Sequence, residues 1–179
     1  MKTATAAREE TREVLVFVLG KEEYGVDILK VQEIRGYDKV TPIPAAPDYL
    51  KGVVNLRGVI VPVIDMRVKF RLPEIRYDTF TVVVILRIAG RVIGLVVDGV
   101  SDVVRFTDSE VKPTPQLGSV VDGSFIAGLA TQGERMVLLL DIEKLLSSGE
   151  MNLLRQTVEQ VTGAGTCNSR RATPTWWPR

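Results

Sequence analysis

Short apolar runs separated by glycine- and proline-marked turns dominate the chain. Residues 14–19 are almost continuously apolar and stop at Gly20. A polar turn, Lys21-Glu22-Glu23, then leads into Tyr24-Gly25-Val26, the pattern of a hairpin. Residues 52–56 and 59–64 form a second predicted hairpin, broken at Arg57-Gly58, with Pro62 marking an edge or bulge position. The strongest strand signal is 79–88. It turns at Ala89-Gly90 into 92–97 and is continued by 100–104, while 124–130 and 136–140 make a last strand pair. Asp65 and Asp141 each follow a strand and open a helical turn, which predicts a capping role. After Asp141, the apolar positions Ile142, Leu145, Leu146, Leu153 and Leu154 recur at helical spacing, with an interruption expected at Gly149.

The two halves repeat each other. Gly25-Val26 matches Gly94-Leu95, and at the same offset Val31 matches Val100, Glu33 matches Asp102 and Ile34 matches Val103. Farther along, Gly52-Val53 matches Gly128-Leu129, Ile60-Val61 matches Met136-Val137, and Asp65 matches Asp141. Each half therefore predicts strand, hairpin, strand, loop, strand, strand and a capped helical turn. A unit of about five short strands closes most economically as a small barrel, because closure removes exposed edges. Two such barrels packed on each other are expected, over about 13–76 and 77–147, with strand exchange possible and a C-terminal helix at 141–160. Residues 1–12 and 161–179 are expected to be loose tails.

Composition narrows the chemistry. Hydrophobic residues are 45% of the chain and aromatics only 6%, so Val, Ile and Leu must fill the interior and sheet is favoured. Histidine is absent and Cys167 is the only cysteine, which excludes imidazole-based nucleophile pairs, histidine metal sites and an intrachain disulfide. Without the last seventeen residues, 20 basic side chains face 22 acidic ones, so no strong field recruits nucleic acid or anionic lipid. No apolar run approaches the roughly 18 residues of a membrane-spanning helix, and the polar start lacks a signal-like apolar region. A soluble, cytoplasmic protein without membrane insertion is the expectation.

Individual motifs point away from catalysis. The glycines of 20–25 have phosphate-loop spacing, but Val26 and Asp27 stand where a lysine and a hydroxyl residue are needed. Gly163-Ala164-Gly165 lacks a third glycine and a following helix pattern, so no cofactor is assigned. Asp98 and Asp102 around Gly99 fit turn or interface chemistry as well as a metal site. Arg57, at an apolar hairpin tip, could reach a partner's carboxylates or simply be solvated. Residues 30–76 carry nine Lys/Arg against five Asp/Glu and 77–147 carry six against nine, so one half can offer a basic face and the other an acidic one.

The stretch 22–37, from Glu22-Glu23-Tyr24-Gly25-Val26-Asp27 to Arg35-Gly36-Tyr37, closely resembles the first signature of the chemotaxis coupling family CheW. So do 51–65, which contains Asn55-Leu56-Arg57-Gly58, and 96–103, Val96-Val97-Asp98-Gly99-Val100-Ser101-Asp102-Val103. The resemblance runs over about residues 14–154. It implies two intertwined five-stranded SH3-like barrels around a shared hydrophobic core, mainly β, with short helices. It also implies a non-enzymatic adaptor, free of cofactors and metals, that joins the cytoplasmic tip of a chemoreceptor to the regulatory domain of the histidine kinase CheA within membrane-bound receptor arrays. Carried over by position, the receptor-facing groove comprises Val31, Gly52, Arg57, Thr81, Val83, Gly94 and Val100, with kinase contacts at the barrel ends. The tail 163–179, which holds both tryptophans and Cys167, departs from the family pattern. Two other functions fit the residues: coupling in a non-flagellar pathway with a CheA-like kinase, and single-stranded nucleic-acid binding by a small barrel. The second lacks the aromatic stacking series such binders use.

Overall fold

A computed structural model describes residues 10–114, 123–146 and 148–162. The expected tails therefore lie mostly outside the described residues, although β1 (Thr11–Leu19) already begins at Thr11. It is followed by β2 (Glu22–Asp27), β3 (Val31–Gly36), β4 (Leu50–Leu56), β5 (Val59–Asp65) and the short α1 (Met66–Lys69). The second half contributes β6 (Val82–Ile88), β7 (Arg91–Val97), β8 (Gly99–Thr107), β9 (Val111–Lys112), β10 (Ile126–Gln132), β11 (Arg135–Leu140), α2 (Ile142–Leu145) and α3 (Ser148–Thr162).

Two boundaries differ from the sequence reading. Strand β6 starts only at Val82, because the Asp78 carboxylate accepts the amides of Phe80 and Thr81 at 2.8 and 3.1 Å and holds them in a turn. The last helix breaks at Leu146, not at Gly149. Leu146 leaves helical geometry to bury its side chain, and Gly149 sits inside the first turn of α3.

The strands form two sheets, and each mixes the halves. One has the order β8-β1-β2-β11-β10-β9, here sheet A, and the other β3-β6-β7-β5-β4, sheet B. The first hairpin of each half, β1–β2 or β6–β7, is thus inserted into the sheet built from the rest of the other half. Registers repeat as faithfully as the sequence does. Val63 pairs with Gly94 in parallel in sheet B, and the matched Leu139 pairs with Gly25 in parallel in sheet A. Even the bulges recur, between Leu50 and Gly52 and between Ile126 and Gly128. This is the mainly β, two-barrel architecture that the resemblance implies.

The exchange explains why the first strand of each half is apolar at nearly every position. On β1, Val14 and Val16 point into the interior of sheet A, while Leu15, Phe17 and Leu19 point into the core shared by both sheets. On β6, Val83 and Ile85 enter the interior of sheet B, while Val84, Leu86 and Ile88 join the shared core. A strand buried on both faces cannot alternate apolar with polar. Each fully buried Leu, Ile or Phe adds about 1.5–3 kcal/mol, so this double burial holds the exchanged hairpins in place.

Pro62 lies on an internal strand, yet its missing amide breaks no pairing. The amide and carbonyl of Val53, its partner on β4, both engage Thr41 at 2.9 Å, so Pro62 turns its backbone polar side away from β4. The pairing of β5 with β7 begins only at Val63.

Candidate functional site

Sheet B has two edge strands, β3 and β4, and the region between them is bridged by side chains and by loop 37–49. The β4–β5 turn places Arg57 and Gly58 at φ +51° and +87°, the twist a two-residue hairpin favours, and the Asn55 side chain accepts the Gly58 amide at 2.8 Å. That turn aims the Arg57 guanidinium at Glu33 of β3, which accepts from Nη2 at 2.9 Å. The Arg57 side chain remains 71% exposed, so the pair bridges the two edges while keeping its cation accessible.

Between these two edges lies a groove of about 190 Å³, lined on the β3 side by Arg35, Asp38 and Lys39, on the β4 side by Val54 and Leu56, and at its floor by Val83 and Ile85. Loop 37–49 is tied to the same region. Tyr37 donates its amide to the Thr81 carbonyl at 2.9 Å, and Thr41 bridges Val53.

Six of the seven expected site residues belong to sheet B or its margin, and Val100 lies on sheet A. Thr81 is buried just before β6, its hydroxyl within reach of the Arg76 carbonyl and the Asp78 carboxylate. Val83 is buried and lines the groove. Gly94 lies directly against it, since a β-carbon there would come within 2.8 Å of Val83 Cγ1. Gly52 has φ +148°, and any side chain would drive into the Thr41 backbone. Arg57 supplies the exposed charge. Val31 and Val100 occupy matched positions on opposite sheets, pairing with Leu86 and Phe17 respectively, and both are half-buried against the shared core. Of the seven, Val83 alone is among the residues that line the groove; Gly52, Arg57 and Gly94 adjoin lining residues, and Val31, Thr81 and Val100 do not enter it.

Glu33 and Arg35 escaped the sequence reading as site residues, although the repeat had matched Glu33 with Asp102. That match carried the signal. Asp102 also grips an arginine from the corresponding hairpin, Arg135, at 3.0 Å. Arg135 lies between Asp102 and Glu23 and donates to Glu23 at 2.7 Å. Its hydrogen bonds hold the Glu23 carboxyl below the usual range, against a smaller opposing effect of burial.

A second polar cluster is structural. The fully buried Arg67 side chain donates to both oxygens of Asp65, at 3.0 and 2.9 Å, to Asp98 at 2.9 Å and to the Arg76 carbonyl at 2.5 Å. The Tyr77 hydroxyl donates to Asp65 at 2.7 Å, and its ring covers the guanidinium at 4.5 Å. Burial alone would raise the Asp65 carboxyl, but the hydrogen bonds from Arg67 and Tyr77 outweigh it and lower the pKa. Burial and the bond to Asp65 raise the Tyr77 phenol well above its ordinary value. Asp98 also accepts the Gly20 amide at 2.7 Å. It thereby pins the β1–β2 turn of sheet A where the chain crosses from β7 to β8. Asp65 caps α1 as expected, and Arg67 makes it the anchor of a buried ion pair as well. Each of these side chains is paired within the cluster, and the bond from Gly20 to Asp98 links it to sheet A. Among the described residues, no three acidic or thiol side chains gather as a metal site, and no helix is long and apolar enough to cross a membrane.

Residues 13–150 match the family model for the CheW-like domain. The chemotaxis protein CheW of Klebsiella aerogenes is 57% identical over 143 residues, covering 80% of this chain and 86% of that protein. The chemotaxis protein CheW of Treponema pallidum is 34% identical over 83% of this chain and 90% of its own length. Among solved structures, the scaffolding protein TtCheW from Thermoanaerobacter tengcongensis superposes with a TM-score of 0.72 at 30% identity, covering 79% of this chain and 96% of that one.

Proposed function

The chain belongs to the CheW family and is a chemotaxis coupling protein, and from that premise we propose that it acts without catalysis, holding a chemoreceptor tip and the histidine kinase CheA in one assembly. Receptor conformation then biases kinase activity through proximity and shared contacts.

The observation that carries this reading is the groove between the edges of sheet B, with the exposed Arg57 following directly on its lining residue Leu56. An amphipathic helix of the receptor tip lies along it, its apolar stripe meeting the Val83 floor and its polar rim meeting Arg57. Gly52 serves by letting the Thr41 backbone close on β4, and Gly94 by leaving room for Val83 of the floor. Thr81 sets the start of β6, and Val31 and Val100 extend the apolar surface toward the shared core. The kinase occupies the barrel ends, and the protein reaches the membrane only through the receptor.

Co-sedimentation with receptor-bearing membranes and purified kinase tests this. Arg57→Ala is expected to fold normally, because an exposed ion pair contributes only about 0–1 kcal/mol, and to lose receptor-dependent kinase activation. Activation at the wild-type level would remove Arg57 from the site.

A further inference from the structure

A second groove, on the far side of the β4–β5 hairpin, has no part in the reading above. It lies between sheet B and α3, with a volume of about 330 Å³. Val59, Pro62, Ile93 and Leu154 supply apolar surface, and Arg91, Arg155 and Glu159 stand at its rim, the last two paired at 3.2 Å. Val59, at the start of β5 and paired only with Leu56 of β4, is 52% exposed, so the groove presents apolar surface to water at this end. Arg91 ties the helix to the sheet by donating to the Met151 carbonyl at 3.3 Å.

We propose that this groove seats the chain's own C-terminal segment, with the indole rings of Trp176 and Trp177 entering it. Reach is the first argument. The segment leaves from Thr162, the end of the helix that forms one wall. The groove-lining residues of that helix begin at Met151, about 17 Å back along it. Residues 163–175 can span up to about 43 Å when extended, far more than the return requires.

Chemistry is the second. A shallow apolar groove rimmed by guanidinium groups suits flat aromatic rings, which bury apolar area and take an arginine against their faces. The chain has only two tryptophans, and both lie in this segment. Pro174 and Pro178 flank them and reduce the entropy lost on docking. Because Val59 directly follows the Arg57-Gly58 turn, the docked segment braces the hairpin that carries Arg57.

Both probes needed for a test are already in the full-length chain. With no other tryptophan present, intrinsic tryptophan fluorescence reports on the segment alone. The expected result is emission shifted to the blue and shielded from acrylamide, relative to the same chain unfolded in denaturant. Val59→Asp, at an exposed position, is expected to keep the native circular dichroism spectrum and lose both effects. A nitroxide on Cys167, the only thiol, is expected to broaden the amide resonances of Val59 and Val92 selectively. Tryptophans quenched as readily as in the unfolded chain, or shielding untouched by Val59→Asp, would overturn the proposal. Shielding that disappears on dilution would overturn it too, by assigning the groove to the tail of a second copy.

Discussion

The two sheets share one plan, matched residue for residue, yet they treat their interiors differently. In sheet A the cluster of Val14, Val16, Ala130, Val137 and Leu139 is completed from β8 by Val104 and Phe106, 8% and 1% exposed. The matching positions in sheet B are Val83, Ile85, Val54, Val61 and Val63, so its walls are equally apolar. Where β8 supplies Val104 and Phe106, however, β3 and the residue after it supply Arg35 and Tyr37. Arg35 cannot bury its charge, so it stays exposed at the edge of the groove, and Tyr37 is only half-buried, touching the margin of the interior while its ring meets Tyr77 at 4.9 Å between ring centres. One interior is filled from its edge strand; the other is left with a groove, and an exposed ion pair joins its two edges. Duplication thus supplies the frame, and the residues at two edge positions distinguish the filled interior from the one left with a groove.

The largest expected effect tests that filling. Phe106→Ala should cost about 3–5 kcal/mol, as a fully buried aromatic deletion does, while Tyr37→Ala, at a half-buried site, should cost clearly less. Urea denaturation of both variants measures the difference, and equal losses would mean that the two interiors are packed alike.

Next comes the pair of capping aspartates. Asp65→Asn strands the buried Arg67 charge and should cost about 3 kcal/mol, whereas Asp141→Ala loses only a cap, about 1 kcal/mol. The lowered pKa of Asp65 fixes the sign of its pH dependence. Its contribution is complete above the unfolded carboxylate value near 4 and is lost as pH falls through the lower folded value. Acid titration of stability should therefore show a loss in the wild type that Asp65→Asn lacks.

Smaller again is the effect at the matched glycines. Gly52→Ala combines an unfavourable positive φ with a clash against the Thr41 backbone, at roughly 1–3 kcal/mol of strain. Gly128→Ala meets Lys112 and Val111 only at 3.0 and 3.1 Å, with no positive φ, and should lose less. Thermal melts that rank the two the other way would show that the loop behind β4 yields more easily than β9 does.

Much of this protein could be read from residues alone. The repeat, the hairpins, both capping aspartates and the groups missing for catalysis are local properties, set by side-chain type, turn chemistry and short-range periodicity. So is the family signature. What the sequence could not decide is which hairpin enters which sheet, because a strand apolar on both faces fits either interior until the register of its partners is formed. The same limit hid Glu33 as the partner of Arg57 and Arg67 as the burial site of a charge. Their partners are brought close only by long-range pairing, and for the buried Arg67 the cost of an unpaired charge then fixes the arrangement.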